Sequence, residues 1–151
     1  MVLVIDAPLM AVIFQRAVRE IGIRDYTPEQ VEAWAGPRVT AGRLDTMYSD
    51  GRETFIAVDE ADQPIAFCDL EADGHVDMLY CDPDQAGRGI AGRLLAAIEA
   101  RAKATGLERL HTEASETARP VFERAGYTAV LRRALEIDGV AIHNWKMEKR
   151  L

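Results

Sequence analysis

The chain has 151 residues, 48% of them apolar and 28% charged, and its eighteen basic against twenty-five acidic side chains leave a net charge of −7. These proportions are ordinary for a globular chain with a single core, and they exclude a general nucleic-acid binder, which presents a basic face. No stretch approaches the ~20 apolar residues of a membrane helix, and the acidic balance suits an enzyme whose acceptor is neutral or cationic.

The opening "MVLVIDAPLMAVIFQR" lacks a basic n-region, and Asp6 and Pro8 interrupt its apolar run, so no targeting segment is expected. Cys68 and Cys81 lie in separate apolar stretches without CxxC spacing, which predicts buried free thiols in a reducing compartment. The expectation is one cytoplasmic domain spanning residues 1–151.

In chain order, "VLVI" (2–5) reads as a short first strand. Asp6 and Pro8 signal a helix start, with Leu9, Val12, Ile13, Ala17 and Ile21 at helical spacing. "TPEQVEAW" starts a second helix: Thr27 caps, Pro28 takes the first helical position and Gln30 completes a capping box. Residues 38–52 read equally as loop or as a further short helix.

The period then changes to two. "TFIAV" (54–58), "PIAFCDL" (64–70) and "HVDMLYC" (75–81) read as strands separated by turn signals. Their short connections predict an antiparallel meander, since parallel neighbours need a longer crossover. A helix carrying Leu94, Leu95, Ile98 and Ala102 follows a glycine loop, then a strand at 108–114 and a short helix "TARPVFERAG". Two last strands flank Asp138-Gly139, a two-residue hairpin signal. The order β-α-α-β-β-β-α-β-α-β-β predicts an α/β fold of the α+β type: a mixed, largely antiparallel sheet of about seven strands with four helices and one β-α-β crossover.

The glycine loop "DQAGRGIAGRLL" contains Gly87-x-Gly89-x-x-Gly92, the GxGxxG pattern of dinucleotide-binding folds. Glu113 lies about where a ribose-binding carboxylate belongs in that pattern. Against it, "DPDQA" separates the strand from the first glycine, and the upstream strands form hairpins rather than βαβ units. What remains is a glycine turn whose backbone N–H groups and helix N-terminus bind a phosphate or pyrophosphate, or a helix start that needs glycine for its dihedrals. The loop alone does not choose between them.

The arrangement resembles the GNAT superfamily of acyl-CoA N-acetyltransferases over nearly the whole chain. The family's phosphate motif, Gln/Arg-x-x-Gly-x-Gly/Ala after a strand and a proline-containing loop, aligns on Ala86 to Ala91 with Pro83 before it. A second motif, Asn-x-x-Ala-x-x-φ-Tyr-x-x-x-Gly-Phe with φ apolar, aligns on Ser115, Ala118, Val121, Phe122, Gly126 and Tyr127. The phrases "YTPEQVEAW", "DGHVDMLYCDP", "TEASETARPVFERAGY" and "HNWKMEK" further resemble a group of small bacterial members, the YafP-like acetyltransferases.

The resemblance implies that acetyl-CoA is the co-substrate and that its pantetheine arm fills a gap between two splayed strands. Backbone groups of Leu79, Tyr80 and Cys81 would pair with that arm, one N–H polarising the thioester carbonyl. Ala86 and the N–H groups of Gly87, Arg88, Gly89, Ile90, Ala91 and Gly92 would hold the pyrophosphate, with Ser115, Phe122 and Arg124 lining the other side. The acceptor pocket would be framed by the first two helices, with Tyr26 and Trp34, and by the last hairpin, although a tryptophan on a helix's apolar side is more often core. The function implied is transfer of an acetyl group to a primary amine of a small molecule or peptide by direct attack on the thioester. Many family members dimerise, and nothing in this sequence sets its oligomeric state.

Two positions depart from the family pattern. Ala86 lacks the polar side chain of the phosphate motif, leaving its backbone N–H, with Gln85 or Arg88 as substitutes, so weaker cofactor binding is expected. Phe122 stands where many members place a tyrosine that protonates the leaving thiolate; a thiol pKa near ~8.5 makes thiolate a fair leaving group unaided. These departures keep open a non-catalytic acyl-CoA-binding or sensing module. Direct attack needs the ammonium to lose a proton. Candidates for the base are His75, Asp77 and Tyr80 on the central strand and Glu113 on its neighbour, each equally explicable as a turn, sheet-face or packing residue. Strict alternation places His75, Asp77, Leu79 and Cys81 on one face and Val76, Met78 and Tyr80 on the other, unless a bulge intervenes. Tyr127 is expected to pack in the core. His75, His111 and His143 have no ligand spacing, and no metal is expected.

Overall fold

A computed structural model describes residues 7–36 and 51–151. The expected first strand at 2–5, the Asp6 helix start and the ambiguous stretch at 38–52, except its last two residues, lie outside the described residues.

Helix α1 (Ala7–Arg16) runs on through a π-helical turn (Ala17–Ile21) and a 3-10 turn (Gly22–Arg24). It buries Met10, Ile13, Phe14, Ala17 and Val18, while Leu9 and Val12 are exposed. The stripe expected from the sequence is therefore rotated. This helix is apolar nearly all round, so two rival i, i+3, i+4 stripes exist, and packing selects the one holding the larger Met10 and Phe14. Helix α2 (Pro28–Ala35) begins with the expected capping box: Thr27 accepts from the Gln30 N–H, and the Gln30 side chain accepts from the Thr27 N–H.

Strands β1 (Glu53–Val58), β2 (Pro64–Leu70) and β3 (Val76–Cys81) form one antiparallel sheet in the order β1-β2-β3. Helix α3 (Ile90–Ala104) then crosses to β4 (Arg109–Ala114). Helix α4 (Arg119–Arg124) leads to β5 (Thr128–Ile137) and β6 (Val140–Arg150), and the second sheet has the order β4-β6-β5. Asp138 and Gly139, at φ +50° and +78°, make the hairpin turn.

The expected single sheet of about seven strands is thus replaced, among the described residues, by two three-stranded antiparallel sheets. They touch through one isolated parallel bridge, His75 with His111. Gly74 allows the approach, since a Cβ there would lie 2.4 Å from the Arg109 carbonyl oxygen. Beyond the bridge the Thr112 hydroxyl donates to the Val76 carbonyl at 2.7 Å, and then β3 and β4 part. A bulge in β3 contributes to the divergence. Cys68 pairs with Leu79 but Leu70 with Val76, so three residues of β3 span two of β2, and a bulge bends its strand. The bulge also overturns strict alternation. Val76, Leu79 and Cys81 share the core under α3, with Leu95, Ile98 and Leu110, whereas Met78 and Tyr80 face α1 and α2, with Phe14 and Phe67.

At the bridge, His75 Nδ1 pairs with Glu71 at 2.9 Å and Nε2 with Glu113 at 2.5 Å, while its ring stacks on His111 at 5.0 Å. Burial acts to lower the His75 pKa, but the hydrogen-bonded carboxylates of Glu71 and Glu113, with the charges of Glu113 and Asp77, overcome it and leave it raised. A raised folded-state pKa adds stability that is complete below the unfolded value of about 6.5 and is lost as pH rises through the folded value. The Tm difference between wild type and His75→Gln is therefore expected to be largest near pH ~6 and to shrink towards pH ~9. An equal gap at both pH values by differential scanning fluorimetry would overturn this.

Candidate active site

The loop after β3 is built from its first residue. Asp82 caps a 3-10 turn (Pro83–Gln85) by accepting from the Asp84 N–H. Arg16 of α1 ties this turn down through Asp82 at 2.9 Å and Asp84 at 3.3 Å. The Ala86 N–H turns inward to the Pro83 carbonyl at 3.3 Å. That corrects the expectation for Ala86: its N–H is already engaged. Gly87 and Gly89 follow at φ +80° and +76°, left-handed backbone that glycine adopts without strain. The first helical hydrogen bond is Arg93 N–H to the Gly89 carbonyl. The six N–H groups from Gly87 to Gly92 consequently have no backbone acceptor among the described residues. They lie at the start of a fifteen-residue helix, its positive end.

The gap between β3 and β4 opens onto this loop as a cavity of about 390 Å³, lined by Leu79, Tyr80, Cys81, Ala86, Gly87, Gly89, Ile90, Ala91, Gly92, Ser115 and Arg124. These are expected cofactor residues brought together. The side chain of Arg88 leaves the group, donating to Gln85 at 2.9 Å, and it lines a separate shallow groove beside Arg93. Phe122 is buried against Tyr127 and lines the neighbouring cavity instead. Gln85, Gly22, Thr117 and Val121 also line the first cavity. The sequence reading missed Gly22, Thr117 and Val121 as cavity residues, and only the second motif, which includes Val121, carried a signal for them. The Thr117 hydroxyl is buried with no partner among the described residues.

A second cavity of about 360 Å³ lies on the other side of the opening and shares Trp34, Leu79, Tyr80, Ser115 and Ala118 with the first. Helix α2 contributes Trp34, the segment before it Tyr26, and the β5–β6 hairpin Arg133, Leu135, Ile142 and Asn144. Tyr26 locks these parts together: its hydroxyl donates to the His143 carbonyl at 2.9 Å and accepts from the Glu116 N–H at 2.7 Å. The Glu116 carboxylate receives the Trp145 indole N–H and pairs with His143; those donors, Trp145 first, hold its pKa below the usual range. Trp34 is half-buried and serves as wall to both cavities rather than as core alone.

All four candidate bases, His75, Asp77, Tyr80 and Glu113, line the second cavity. Their surroundings separate them. His75 has both ring nitrogens engaged, as described above. Glu113 is held by His75 and, at 3.6 Å, by Arg133. Burial raises the Tyr80 pKa despite a hydrogen bond from the Trp34 side chain, so its phenol stays protonated at neutral pH. Asp77 accepts from Arg52 at 2.6 Å through Oδ2, and Oδ1 has no partner among the described residues. Arg52 is itself buried and also meets Asp69 and Glu71. Glu71, His75 and Asp77 lie close enough to offer a metal three ligand atoms, a grouping the sequence spacing did not suggest, and Arg52 occupies part of it. Tyr127 packs in the core, where burial raises its phenol's pKa. Cys68 is buried and free, and Cys81 is half-buried.

No helix among the described residues is long and apolar enough to cross a membrane. Residues 23–150 match the family profile described as acetyltransferase (GNAT) domain. The chain is 31% identical over 142 residues to the uncharacterized N-acetyltransferase YafP of Escherichia coli (strain K12), an alignment covering 94% of this chain and 88% of YafP. A crystal structure from Rhodopseudomonas palustris, described as a GCN5-related N-acetyltransferase and as "Aminotransferase, Class-II", superposes with a TM-score of 0.88 at 35% identity, covering 97% of this chain and 90% of that one. The PaiA N-acetyltransferase of Thermoplasma acidophilum, solved in complex with coenzyme A, shares the fold at a TM-score of 0.74 and 16% identity, covering 97% and 93%. The family profile, the E. coli relative and the parted strands above an open glycine cradle converge, and the chain belongs to the GNAT family of N-acetyltransferases.

Proposed function

We propose that this chain, as one domain, transfers an acetyl group from acetyl-CoA to the primary amine of a small molecule. The observation that carries the reading is the meeting of two cavities at Leu79, Tyr80 and Ser115, one running to the open N–H cradle and the other walled by titratable groups. The six N–H groups of Gly87–Gly92 hold the pyrophosphate, with Arg124 at the cavity rim. Neighbouring structures that contain coenzyme A support this cofactor.

The strand register refines which groups of β3 meet the pantetheine arm. The Asp82 N–H bonds to the Ile65 carbonyl, and antiparallel bonding alternates, so Tyr80 turns its N–H to β2 while Leu79 and Cys81 present theirs to the opening. One of these polarises the thioester carbonyl and stabilises the oxyanion that forms on attack. Burial, then Asp82, pushes the Cys81 thiol pKa up; it stays protonated, which favours direct transfer over an acyl-cysteine. The amine proton leaves through Asp77, which has a free carboxylate oxygen two residues before Leu79, about 7 Å along a strand and so bridged by water. Coenzyme A departs as thiolate, consistent with Phe122 at the family's tyrosine position. Tyr80 and Trp34 position the two substrates against each other. A non-catalytic acyl-CoA module remains the second reading, because Ala86 has no polar side chain for phosphate and its N–H is engaged by Pro83.

Calorimetry with acetyl-CoA and a thiol-release assay over a broad amine panel test both readings. Micromolar binding with release on some amine is expected; no binding at millimolar cofactor would sink the proposal, and tight binding without release would favour the sensing module. Gly92 lies in the cradle with open space around it and helical backbone. Gly92→Ala is expected to keep cofactor affinity within about twofold and to gain up to ~1 kcal/mol of helix stability. Gly92→Glu should weaken binding at least tenfold, or about 1.4 kcal/mol; equal affinity of the two variants would refute the cradle. Asp77→Asn is expected to lower kcat on the order of 10²-fold at neutral pH with acetyl-CoA affinity retained. Activity should recover in part at alkaline pH, where more amine is unprotonated, and an unchanged neutral kcat would remove Asp77 from the proton path.

A further inference from the structure

Within the acceptor cavity, polar and apolar groups are sorted along the β5–β6 hairpin. Arg133, Leu135 and Ile137 alternate along β5 and all line the cavity, so they share one face. Arg133 pairs across the hairpin with Asn144, and Leu135 with Ile142. The end nearest the His75 bridge is therefore ionic, and the end under the turn is apolar.

At the ionic end no lysine and no other arginine among the described residues lines the cavity. Arg133 has one partner among the described residues, Glu113, and that contact is 3.6 Å long. Most of its planar fork of N–H donors is uncommitted, and such a fork matches a carboxylate bidentately. The two histidines cannot substitute, because His75 is held by Glu71 and Glu113, and His143 by Glu116. Opposite Arg133, the Asn144 side-chain oxygen is buried with no hydrogen-bond partner among the described residues. A buried acceptor without a donor is costly, and an N–H of a ligand would satisfy it. Asp77 and Glu113 balance the cation, so the ionic end suits a zwitterion better than a plain amine. The volume, about 360 Å³, is of the size that holds a small ligand.

We infer that the acceptor is an α-amino acid with an apolar side chain. Its carboxylate lies on Arg133, its side chain against Leu135, Ile137 and Ile142, and its α-nitrogen at the junction with the cofactor cavity. This rests on the acetyltransferase reading above. In the step it implies, the α-nitrogen forms a bond to the acetyl carbon and the C–S bond breaks. Coenzyme A leaves as thiolate; of the two protons the α-ammonium loses, one passes by way of Asp77 to solvent before attack, and the other, released as the amide forms, passes through water to the thiolate. The products are the N-acetyl amino acid and free coenzyme A.

Leucine and phenylalanine are compared with their decarboxylated counterparts, isoamylamine and phenethylamine, by thiol release and by mass detection of the acetylated product. Each amino acid is expected to exceed its amine at least tenfold in kcat/KM. In Arg133→Gln that ratio should fall at least tenfold, mainly through the KM of the amino acid, with Arg133→Lys in between; calorimetry with acetyl-CoA shows that the variants are folded. Amines turned over as well as or better than the amino acids, or a ratio that survives Arg133→Gln, would overturn the inference and leave the acetyltransferase reading standing. Binding of acetyl-CoA with no turnover of any amine or amino acid would overturn both.

Discussion

The structure depends on two strands that touch at one end and part at the other. Where β3 and β4 meet, they share the His75–His111 bridge and the Thr112 hydroxyl bond to Val76. Beyond it, each strand keeps its outer partner, β2 or β6, but loses its inner one. A strand with one side unpaired exposes a row of N–H and C=O groups that must find partners in solvent or ligand. Here that row faces a cleft closed on both sides, by α1 and α2 on one face and by α3 and α4 on the other. The unpaired backbone is the surface on which the proposed reading places the amide-bearing arm, and the parting of the strands is set by a bulge and by the His75–His111 bridge.

The same economy governs charge. A protein with a net charge of −7 is a poor host for a polyanion if its general field decides the matter. At the cradle, short-range terms decide instead. The N–H groups of Gly87–Gly92, without a backbone acceptor among the described residues, and the positive end of α3 act locally, whereas the field of distant surface charges is screened. Asp82 and Asp84 sit in the loop itself and are both held by Arg16, which also pairs with Glu20. That pairing lets Asp82 act as the turn's cap while part of the loop's negative charge is offset.

Much of this was legible in the sequence because it is written in local patterns. The capping box at Thr27–Gln30, the Asp138-Gly139 turn and the glycine loop each need only a few adjacent residues, and the meander follows from connections too short for a crossover. What could not be read locally was decided by partners distant in sequence. The apolar surface of α1 offers two stripes, and only the shape of the β2–β3 face selects the one with Met10 and Phe14. The bulge near Asp77 shows no glycine or proline; it appears only in the register against β2. Arg133 belongs to no motif, and Asn144 and Thr117 lie in family-like phrases without being a specified motif position; each enters its cavity through tertiary placement. Ala86 lines the cavity as expected, but the engagement of its N–H by the preceding 3-10 turn could not be read from the motif.

That turn bears on how far side chains can be removed from a phosphate site. At Ala86 the polar side chain of the family pattern is missing, and the N–H is engaged by the Pro83 carbonyl. Its contribution is geometric. The Pro83 bond closes the turn, the closed turn delivers Gly87 in left-handed backbone, and from there to Gly92 no N–H has a backbone acceptor among the described residues. Loss of the turn would displace the six N–H groups that follow it. The relevant constraint on this loop is therefore the cap formed by Asp82 and its anchor on Arg16, which lie before the glycines and contact no phosphate themselves. By the same reasoning Phe122, which cannot transfer a proton, contributes by packing on Tyr127 and holding α4 against the opening, where the two cavities meet beside Leu79 and Tyr80.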